Sequence, residues 1–232
     1  MTRAGSVRPR TVIVEDHALF AESLDIAMTM EGYDVRRVAV PETAVSASQM
    51  VAAVLKQQPR IVLLDLDLGA FGDGSRIINP IARAGANVVV VTASLDQARW
   101  GGCIYQGARK VMSKTRPLNE ILAVVRRLSQ GLPVMDVDER EGLLSLWQAQ
   151  RRDTEEHRER LDRLTPRERQ VLGSLMEGHQ VKDIARASVV SEATVRTQVK
   201  AILAKLEVSS QISAVGLARS AGWEPPSRSD AS

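Results

Sequence analysis

The 232-residue chain has little of several features that mark particular protein classes. Its single cysteine, Cys103, excludes an internal disulfide and a cysteine-based zinc site. No apolar run approaches the roughly 18 residues that a membrane-spanning helix needs, and the N-terminal residues lack the apolar core of a secretory signal. We therefore expect a soluble, cytoplasmic protein with no membrane partner.

Charge of one sign is also scarce, because 31 Lys and Arg face 28 Asp and Glu, a formal net charge of +3. With 44% hydrophobic residues, the chain is too apolar for an intrinsically disordered protein. The basic excess is concentrated late in the chain, where residues 161–223 hold nine Lys and Arg against six Asp and Glu. A weakly basic C-terminal module permits nucleic-acid binding without requiring it.

Short β-branched runs alternate with helical patterns over the first 130 residues. The runs lie at residues 11–15, 33–38, 60–65, 87–92 and 109–113, and the helical patterns at 17–30, 41–57, 75–83, 95–106 and 117–130. Five successive β-α units predict an α/β fold with a parallel sheet and helices on both faces. We expect the flavodoxin-like strand order 2-1-3-4-5 with right-handed crossovers.

The strand pattern stops near residue 132. Residues 139–164 favour helix and carry a short apolar stripe at 143–147, which suits either a solvated linker helix or a short dimeric coiled coil. Several short helices are predicted beyond Leu164, the first opened by a capping box of Thr165 and Glu168. The predicted organisation is a flexible tail (1–10), a sheet domain (11–132), a helical linker (133–160), a small all-α domain (161–223) and a second flexible tail (224–232).

Polar side chains collect at the carboxyl ends of the predicted strands. Glu15 and Asp16 follow the first strand, Asp65 ends the third, Thr92 ends the fourth and Lys114 follows the fifth. Because parallel strands end at one edge of an open sheet, we expect these residues to converge there. Clustered carboxylates favour Mg²⁺, and a carboxylate can also be a nucleophile that forms an aspartyl-phosphate.

Within this acidic cluster each residue has a predicted role. Asp65 is central and is the predicted nucleophile, while Asp16 is a direct metal ligand and Glu15 a direct or water-mediated one. Thr92 and Lys114 would hold the phosphoryl oxygens.

The segments VIVEDH, LLDLDLGAFGDG, VVVVTAS and GARKVMSK resemble the receiver domain of bacterial response regulators, over residues 11–131. The resemblance implies phosphorylation of Asp65, with Thr92 and Lys114 contacting the phosphoryl group. It also implies Mg²⁺ held by Glu15, Asp16, Asp65 and the backbone carbonyl of Asp67. DLDLG also resembles the start of a haloacid-dehalogenase-type phosphatase site, but Gly69 stands where that pattern has Thr or Val, so its signature is incomplete.

Three features depart from the receiver pattern. Glu15 replaces the more usual Asp, with a longer arm that still suits metal binding. Val111 stands where the family usually has a switching Tyr or Phe, so an aromatic flip is not available to relay a change at Thr92. The adjacent Gly101 and Gly102 are expected to weaken the fourth helix, a surface that commonly signals.

One predicted C-terminal helix has two distinct faces. Its core stripe comprises Val195, Val199, Ile202 and Leu206. Arg196, Thr197 and Lys200 lie on the opposite face, which suits a helix in the DNA major groove, although a solvated face is the competing interpretation. The preceding short helix, the tight turn and the capping Ser191 favour a helix-turn-helix.

Residues 161–220 resemble the LuxR-type helix-turn-helix domain. The resemblance implies base or phosphate contacts by Arg196, Thr197 and Lys200, with Thr194 and Lys182 near the DNA backbone. It also implies a dimer contact through the last helix, near residues 211–220. The departures are Val189, where the turn usually has Gly, His179-Gln180 at a usual Ser-Asn cap, and Gln198 in place of a common His.

The two resemblances together identify a two-component response regulator of the NarL/FixJ type, which is not an enzyme beyond its own phosphotransfer and dephosphorylation. They imply a cognate histidine kinase that phosphorylates Asp65, DNA as the target, and a homodimer as the active form. The alternative is a constitutive DNA-binding regulator whose receiver is a dimerisation or ligand-binding scaffold. Val111 and the glycine pair motivate that alternative.

Overall fold

The computed structural model describes residues 9–225 of the chain. The chain divides into two compact units, and the boundary falls between Gln148 and Ala149. The domain limits expected from the sequence stay predictions, and the expected tails lie mostly outside the described residues. Arg10, which we assigned to the N-terminal tail, is held at the sheet, because its carbonyl oxygen accepts from the amides of Arg60 and Ile61 at 3.0 and 3.2 Å.

Five parallel strands form the sheet of the first unit. Counting only the strands of this sheet, they are β1 (Thr11–Val14), β2 (Val35–Val38), β3 (Ile61–Leu64), β4 (Asn87–Thr92) and β5 (Lys110–Ser113). Their spatial order is β2-β1-β3-β4-β5, with every neighbouring pair parallel. The expected flavodoxin-like order is confirmed. Because Val14 pairs with Leu64, and Leu64 with Val90, the three central strands end near one another.

Helices connect these strands, and two further helices follow the last strand. They are α1 (Ala18–Met30), α2 (Ala47–Lys56), α3 (Ile78–Arg83), α4 (Gln97–Tyr105), α5 (Leu118–Ser129) and α6 (Val137–Asp162). Between β3 and α3 lies a small antiparallel hairpin of Asp67–Leu68 with Gly72–Asp73, followed by a 3₁₀ turn. This hairpin projects from the end of the strand that carries Asp65.

Two expected helices begin later than their sequence patterns indicated. The helix expected from residue 41 begins at Ala47, because Ser46 accepts from the amide of Gln49 and closes a capping box there. The helix expected from residue 75 starts with a 3₁₀ turn at Gly74–Ile77 and becomes α-helical at Ile78. In both cases the predicted helix begins before the residue at which α-helical hydrogen bonding starts.

Both faces of the sheet are buried. Val14 and Leu64 contribute to one apolar cluster, and Ile13 and Leu63 to another. Neighbouring residues of a strand point to opposite faces, so the continuous apolar strands β1 and β3 fill both clusters. Helices on both faces therefore leave the strand ends, rather than the sheet faces, accessible for polar chemistry.

The second unit is a bundle of short helices. Beyond the end of α6 it contains α7 (Pro166–Met176), α8 (Val181–Ala187), α9 (Glu192–Leu206) and α10 (Gln211–Ser220). The predicted stripe of α9 is confirmed, because Val195, Val199, Ile202 and Leu206 are all buried in its core. The predicted capping box is also confirmed, with Glu168 accepting from the Thr165 amide at 2.7 Å.

No single helix within residues 9–225 has both the length and the apolar character to cross a membrane. Only α9 and α10 taken together pass that test, as a pair bent by 53°, by length and composition alone. Both helices contribute buried residues to the core of the second unit.

Candidate functional site

Asp65 is a buried carboxylate at the end of β3, and the residue is 3% exposed. Its Oδ1 accepts from the amide of Leu66 at 2.7 Å, and its Oδ2 accepts from Nζ of Lys114 at 2.8 Å. The Lys114 side chain reaches this position from the residue after β5, where the backbone amide of Lys114 donates to the Thr92 carbonyl. The convergence expected from the strand ends is therefore present for Asp65 and Lys114.

Three further residues complete a cluster beside Asp65. Ligand atoms of Glu15, Asp16, His17 and Asp65 all lie within 4.8 Å of one another. Lys114 also bonds Glu15, whose carboxylate oxygens lie 2.7 and 2.8 Å from Nζ. The ring Nδ1 of His17, the residue before α1, lies 3.0 Å from Oδ1 of Asp16. Residues 49 positions apart in the chain thus share one small site.

Burial and charge crowding change the proton affinities in this cluster. Burial raises the pKa of Glu15, and the nearby negative charge of Asp65 adds to the rise, although the hydrogen bond from Lys114 opposes it. For Lys114, burial acts to lower the pKa, but the bonds to Asp65 and Glu15 outweigh burial and raise it. One ammonium group therefore serves two buried carboxylates and leaves an excess of negative charge.

The donor set of the cluster fits a hard divalent cation. Carboxylate oxygens of Glu15, Asp16 and Asp65 are the ligands that Mg²⁺ prefers, and Asp16 keeps a partly exposed side chain that leaves room for retained waters. The backbone of the adjoining loop comes close to the same point, because a Cβ on Gly69 would lie 3.3 Å from Oδ2 of Asp16. The site is thus acidic and closed by a loop that has no side chain at Gly69.

Thr92 is fully buried at the end of β4, the strand next to β3. Its Oγ1 accepts from the amide of Ser94 at 3.1 Å, which connects the hydroxyl to the loop that leads into α4. Val111 lies in β5 and is 2% exposed. No aromatic ring stands at position 111 to follow a movement of Thr92.

Asp67 has a different environment from the other acidic residues. Its side chain is turned to Arg99 of α4, whose Nη2 donates to Asp67 Oδ1 at 3.0 Å and to Asp73 Oδ1 at 3.2 Å. Asp67 and Asp73 face each other across the small hairpin, so Arg99 offsets the repulsion between them. Because the Asp67 side chain points to Arg99, only its backbone remains for the metal role that the receiver resemblance implies.

The sequence reasoning missed two residues that shape this site. Arg99 was not singled out, and no local motif marks it, because its partners are 26 and 32 positions away. Gly74 was also missed, although it is the last residue of the segment LLDLDLGAFGDG that resembles the receiver domain. A Cβ at Gly74 would collide with the backbone carbonyl of Asp65, so the turn after the hairpin requires glycine.

The exposed face of α9 carries the residues expected to meet DNA. Arg196, Thr197 and Lys200 are all exposed. Thr194 is exposed too and donates its amide to the Ser191 cap at 3.1 Å, while Lys182 is exposed on α8. Arg196 forms an ion pair with Glu192 one turn earlier, at 3.0 Å. These side chains are available to a ligand, and only Arg196 among the cations is held by an acidic neighbour.

Two turn positions of this unit differ from the family pattern without altering the fold. At the position of the usual Ser-Asn cap, Gln180 precedes α8, and its backbone N–H donates to the Asp183 carboxylate at 3.4 Å. At the usual Gly, Val189 adopts a left-handed φ of 55° and is 92% exposed. The turn between α8 and α9 is therefore made in the expected place with a strained β-branched residue.

Two sequence families match this chain. Residues 11–126 match the response regulator receiver domain, and residues 162–218 match the LuxR family of bacterial regulatory proteins. The chain therefore belongs to the NarL/FixJ-type response regulators of two-component systems, which join a receiver domain to a LuxR-type helix-turn-helix and bind DNA.

Relatives match along most of their length. The transcriptional regulatory protein DesR of Bacillus subtilis is 24% identical, with 91% of this chain and 96% of DesR covered. The glycerol metabolism activator of Pseudomonas putida is 28% identical, with 89% and 93% covered. Among solved structures, the response regulator RcsB in complex with DNA aligns over 92% of this chain and 98% of that chain, at 21% identity and a TM-score of 0.48.

Proposed function

We propose that this protein is a transcriptional regulator switched by phosphorylation of Asp65, with a histidine kinase as the donor. The observation that carries the proposal is the convergence of Glu15, Asp16, Asp65 and Lys114 on one buried strand end. A structural ion pair would need one carboxylate for one ammonium group. The additional carboxylates repel one another unless a bound cation offsets their charge.

In the proposed reaction a carboxylate oxygen of Asp65 attacks the phosphorus of a phosphohistidine. A P–O bond forms as the P–N bond breaks, and the electron pair of that bond returns to the histidine ring nitrogen. Lys114 Nζ, which already bonds Oδ2 of Asp65, would hold a phosphoryl oxygen, and the Thr92 hydroxyl would hold another. Both groups are positioned by the ends of β4 and β5.

Mg²⁺ would be held by Glu15, Asp16, Asp65 and the carbonyl of Asp67. When bound, it supplies positive charge that offsets the charge of the transferring phosphoryl group. His17 would orient Asp16 through the 3.0 Å contact between Nδ1 and Oδ1. Gly69 places no side chain against Oδ2 of Asp16, where a Cβ would lie at 3.3 Å.

For DNA, we propose that α9 lies in the major groove. Arg196, Thr197 and Lys200 would contact bases or phosphates, and Thr194 and Lys182 would contact the backbone. The active form is a homodimer that reads two half-sites, with α10 as the contact. Ile212 on α10 supports this contact, because its large apolar side chain is 86% exposed.

The experiment that tests the switch compares wild type with Asp65→Asn after incubation with acetyl phosphate and Mg²⁺. We expect wild type to gain one phosphoryl group by intact mass, the variant to gain none, and only wild type to bind DNA more tightly afterwards. Absence of phosphate on the wild-type protein would contradict the switch. Phosphate uptake with unchanged DNA affinity would favour the constitutive alternative.

The groove assignment has a separate test. Arg196→Ala combined with Lys200→Ala should abolish sequence-specific binding in a fluorescence anisotropy titration, because both cations leave the proposed contact face. Lys56→Ala, which removes an exposed cation at the end of α2, is the matched control and should bind as wild type does. Undiminished specific binding by the double variant would place the DNA contact elsewhere.

A further inference from the structure

Four consecutive residues of α4, Arg99–Gly102, lie against three different parts of the first unit. Arg99 bonds the hairpin that follows Asp65, at Asp67 and Asp73. Trp100 donates its Nε1–H to the carbonyl of Ser94 at 3.0 Å, in the loop after Thr92. One helical turn is thus bonded to both loops that flank the proposed phosphorylation site.

The first half of α6 packs against the two glycines of this segment. A Cβ on Gly101 would collide with the backbone carbonyl of Leu143, and a Cβ on Gly102 would lie 3.1 Å from the Trp147 ring. Leu143 is 8% exposed and belongs to the apolar cluster of the sheet. The Trp147 ring also stacks on Tyr105, with centroids 4.1 Å apart.

Two expectations from the sequence therefore need correction. The glycine pair does not simply weaken α4, because Gly101 permits an approach of the Leu143 backbone that a Cβ would block. The solvated-linker interpretation fails for the first half of α6, where Leu143 is buried and Trp147 is half-buried. Lys110 of β5 adds an ion pair with Glu139 of α6, and both of its N–O distances are 2.6 Å.

We propose that Arg99–Gly102 relays the state of Asp65 to α6 and so replaces the aromatic switch that Val111 cannot provide. This inference rests on the proposed phosphorylation of Asp65. Its input is the Thr92 hydroxyl, which accepts from the Ser94 amide, and its output is the contact of Gly101 with Leu143.

The relay follows from the order of these bonds. A Thr92 hydroxyl that turns to donate to a phosphoryl oxygen moves its acceptor lone pairs. The Ser94 amide must then follow the hydroxyl or lose its partner, and the Ser94 carbonyl carries the change to Nε1 of Trp100. Packing at Gly101 has no spare room, so a small displacement of α4 changes its fit to Leu143.

Arg99 acts as a positioning residue in the same relay. It connects α4 to Asp67, the residue whose carbonyl is the proposed metal ligand. A change in the hairpin on phosphorylation would therefore reach α4 by a second route. Arg99→Gln should weaken apparent Mg²⁺ affinity as well as the α6 response, whereas loss of packing alone would leave Mg²⁺ affinity unchanged.

The test is hydrogen–deuterium exchange of residues 139–148 in the full-length protein, before and after acetyl phosphate with Mg²⁺. In wild type we expect exchange there to speed up by about tenfold on phosphorylation, because α6 loosens from α4. Trp100→Phe keeps a ring but lacks the Nε1–H donor, so it should gain phosphate on Asp65 and lose this acceleration. Trp223→Phe, in the second unit, should respond as wild type does.

A second comparison needs no phosphate. Gly101→Ala should accelerate exchange at 139–148 in the resting protein, whereas Gly142→Ala, where a Cβ meets nothing within 4 Å, should not. Equal exchange in these two variants, or a wild-type response in Trp100→Phe, would overturn the relay. An intact mass without phosphate would instead overturn the proposed function, and the relay with it, since the relay would have no input.

Discussion

Nζ of Lys114, at the end of β5, lies 2.8 Å from Oδ2 of Asp65 at the end of β3, with β4 between these two strands in the sheet. The two residues are 49 positions apart in the chain, yet the Asp65 side chain is almost fully buried and that of Lys114 is largely so. The same nitrogen bonds Glu15, so Asp65 shares its counter-ion with a second carboxylate. This shared cation explains how the acidic cluster is tolerated and why Lys114 is central to the proposed chemistry.

Lys114→Met should slow phosphoryl uptake from acetyl phosphate by about 100-fold. The substitution removes the ammonium group that is positioned to stabilise the negative charge of the phosphoryl group during transfer. Uptake can be followed by intact mass against time. Lys56→Met removes an exposed lysine at the end of α2 and should leave the rate unchanged. A Lys114→Met rate near that of wild type would show that Lys114 does not contact the phosphoryl group.

Asp16→Asn should weaken Mg²⁺ binding by at least about tenfold, because one carboxylate ligand becomes a neutral amide. Isothermal titration calorimetry with MgCl₂ measures this directly. Asp25→Asn is the matched control, because Asp25 lies within α1 and accepts a hydrogen bond from Thr29 of the same helix. Identical Mg²⁺ affinities in the two variants would exclude Asp16 as a ligand.

Glu192→Gln should tighten DNA binding by about fivefold at low salt. The exposed ion pair with Arg196 is weak, and its removal frees the guanidinium while taking a negative charge away from the phosphates. Fluorescence anisotropy at several salt concentrations gives the affinity and its salt dependence. Glu156→Gln makes the same charge change on α6, and an equal gain there would mean that only net charge matters.

The lowered pKa of Glu168 predicts that the stability of the second unit depends on pH. Burial acts to raise the pKa of Glu168, but hydrogen bonds from Lys205 and Thr165 lower it overall. Because the pKa of Glu168 is lower in the folded than in the unfolded state, its ionised carboxylate stabilises the folded unit. This stabilisation is complete when the pH is above the pKa of the unfolded state. It is lost as the pH falls below about 4.5 and through the folded pKa.

Substitutions of Glu168 separate the charge from the cap. Glu168→Gln keeps a capping acceptor and should cost about 1 kcal/mol at pH 7, while Glu168→Ala loses both functions and should cost about 2 kcal/mol. Urea unfolding at pH 7 and below pH 4 measures both variants. If Glu168→Gln shows the same loss at both pH values, the ion pair with Lys205 is not its cause.

Val189→Gly should stabilise the second unit by about 1 kcal/mol, because glycine adopts the left-handed φ of this turn without the Cβ clash. Val190→Gly is the matched control at the next position, where φ is not positive, and should destabilise. Thermal unfolding of both proteins gives the comparison. A destabilised Val189→Gly would show that the exposed valine makes a favourable contact.

Much of the molecule could be read from local patterns. The continuous apolar strands β1 and β3 predicted a sheet covered on both faces, and the order β2-β1-β3-β4-β5 was expected as the flavodoxin-like order of a doubly wound sheet. Helix starts were less accurate, as at Ser46, because a capping residue rather than the apolar period decides where hydrogen bonding begins. In the site, strand-end positions were enough to predict that Asp65 and Lys114 meet.

The sequence by itself determined the two-unit architecture, the acidic strand ends and the two-faced α9, because each of these depends on periodicity or on the shared edge of a parallel sheet. Only the tertiary structure decided what Arg99, Trp100 and Gly101 contact, since no local pattern encodes these partners and those of Arg99 and Gly101 are distant in the chain. A glycine pair weakens a helix in isolation, but in the folded protein it lets the backbone of α6 at Leu143 pack closely against α4. This close approach depends on both helices, so the sequence of α4 alone does not reveal it.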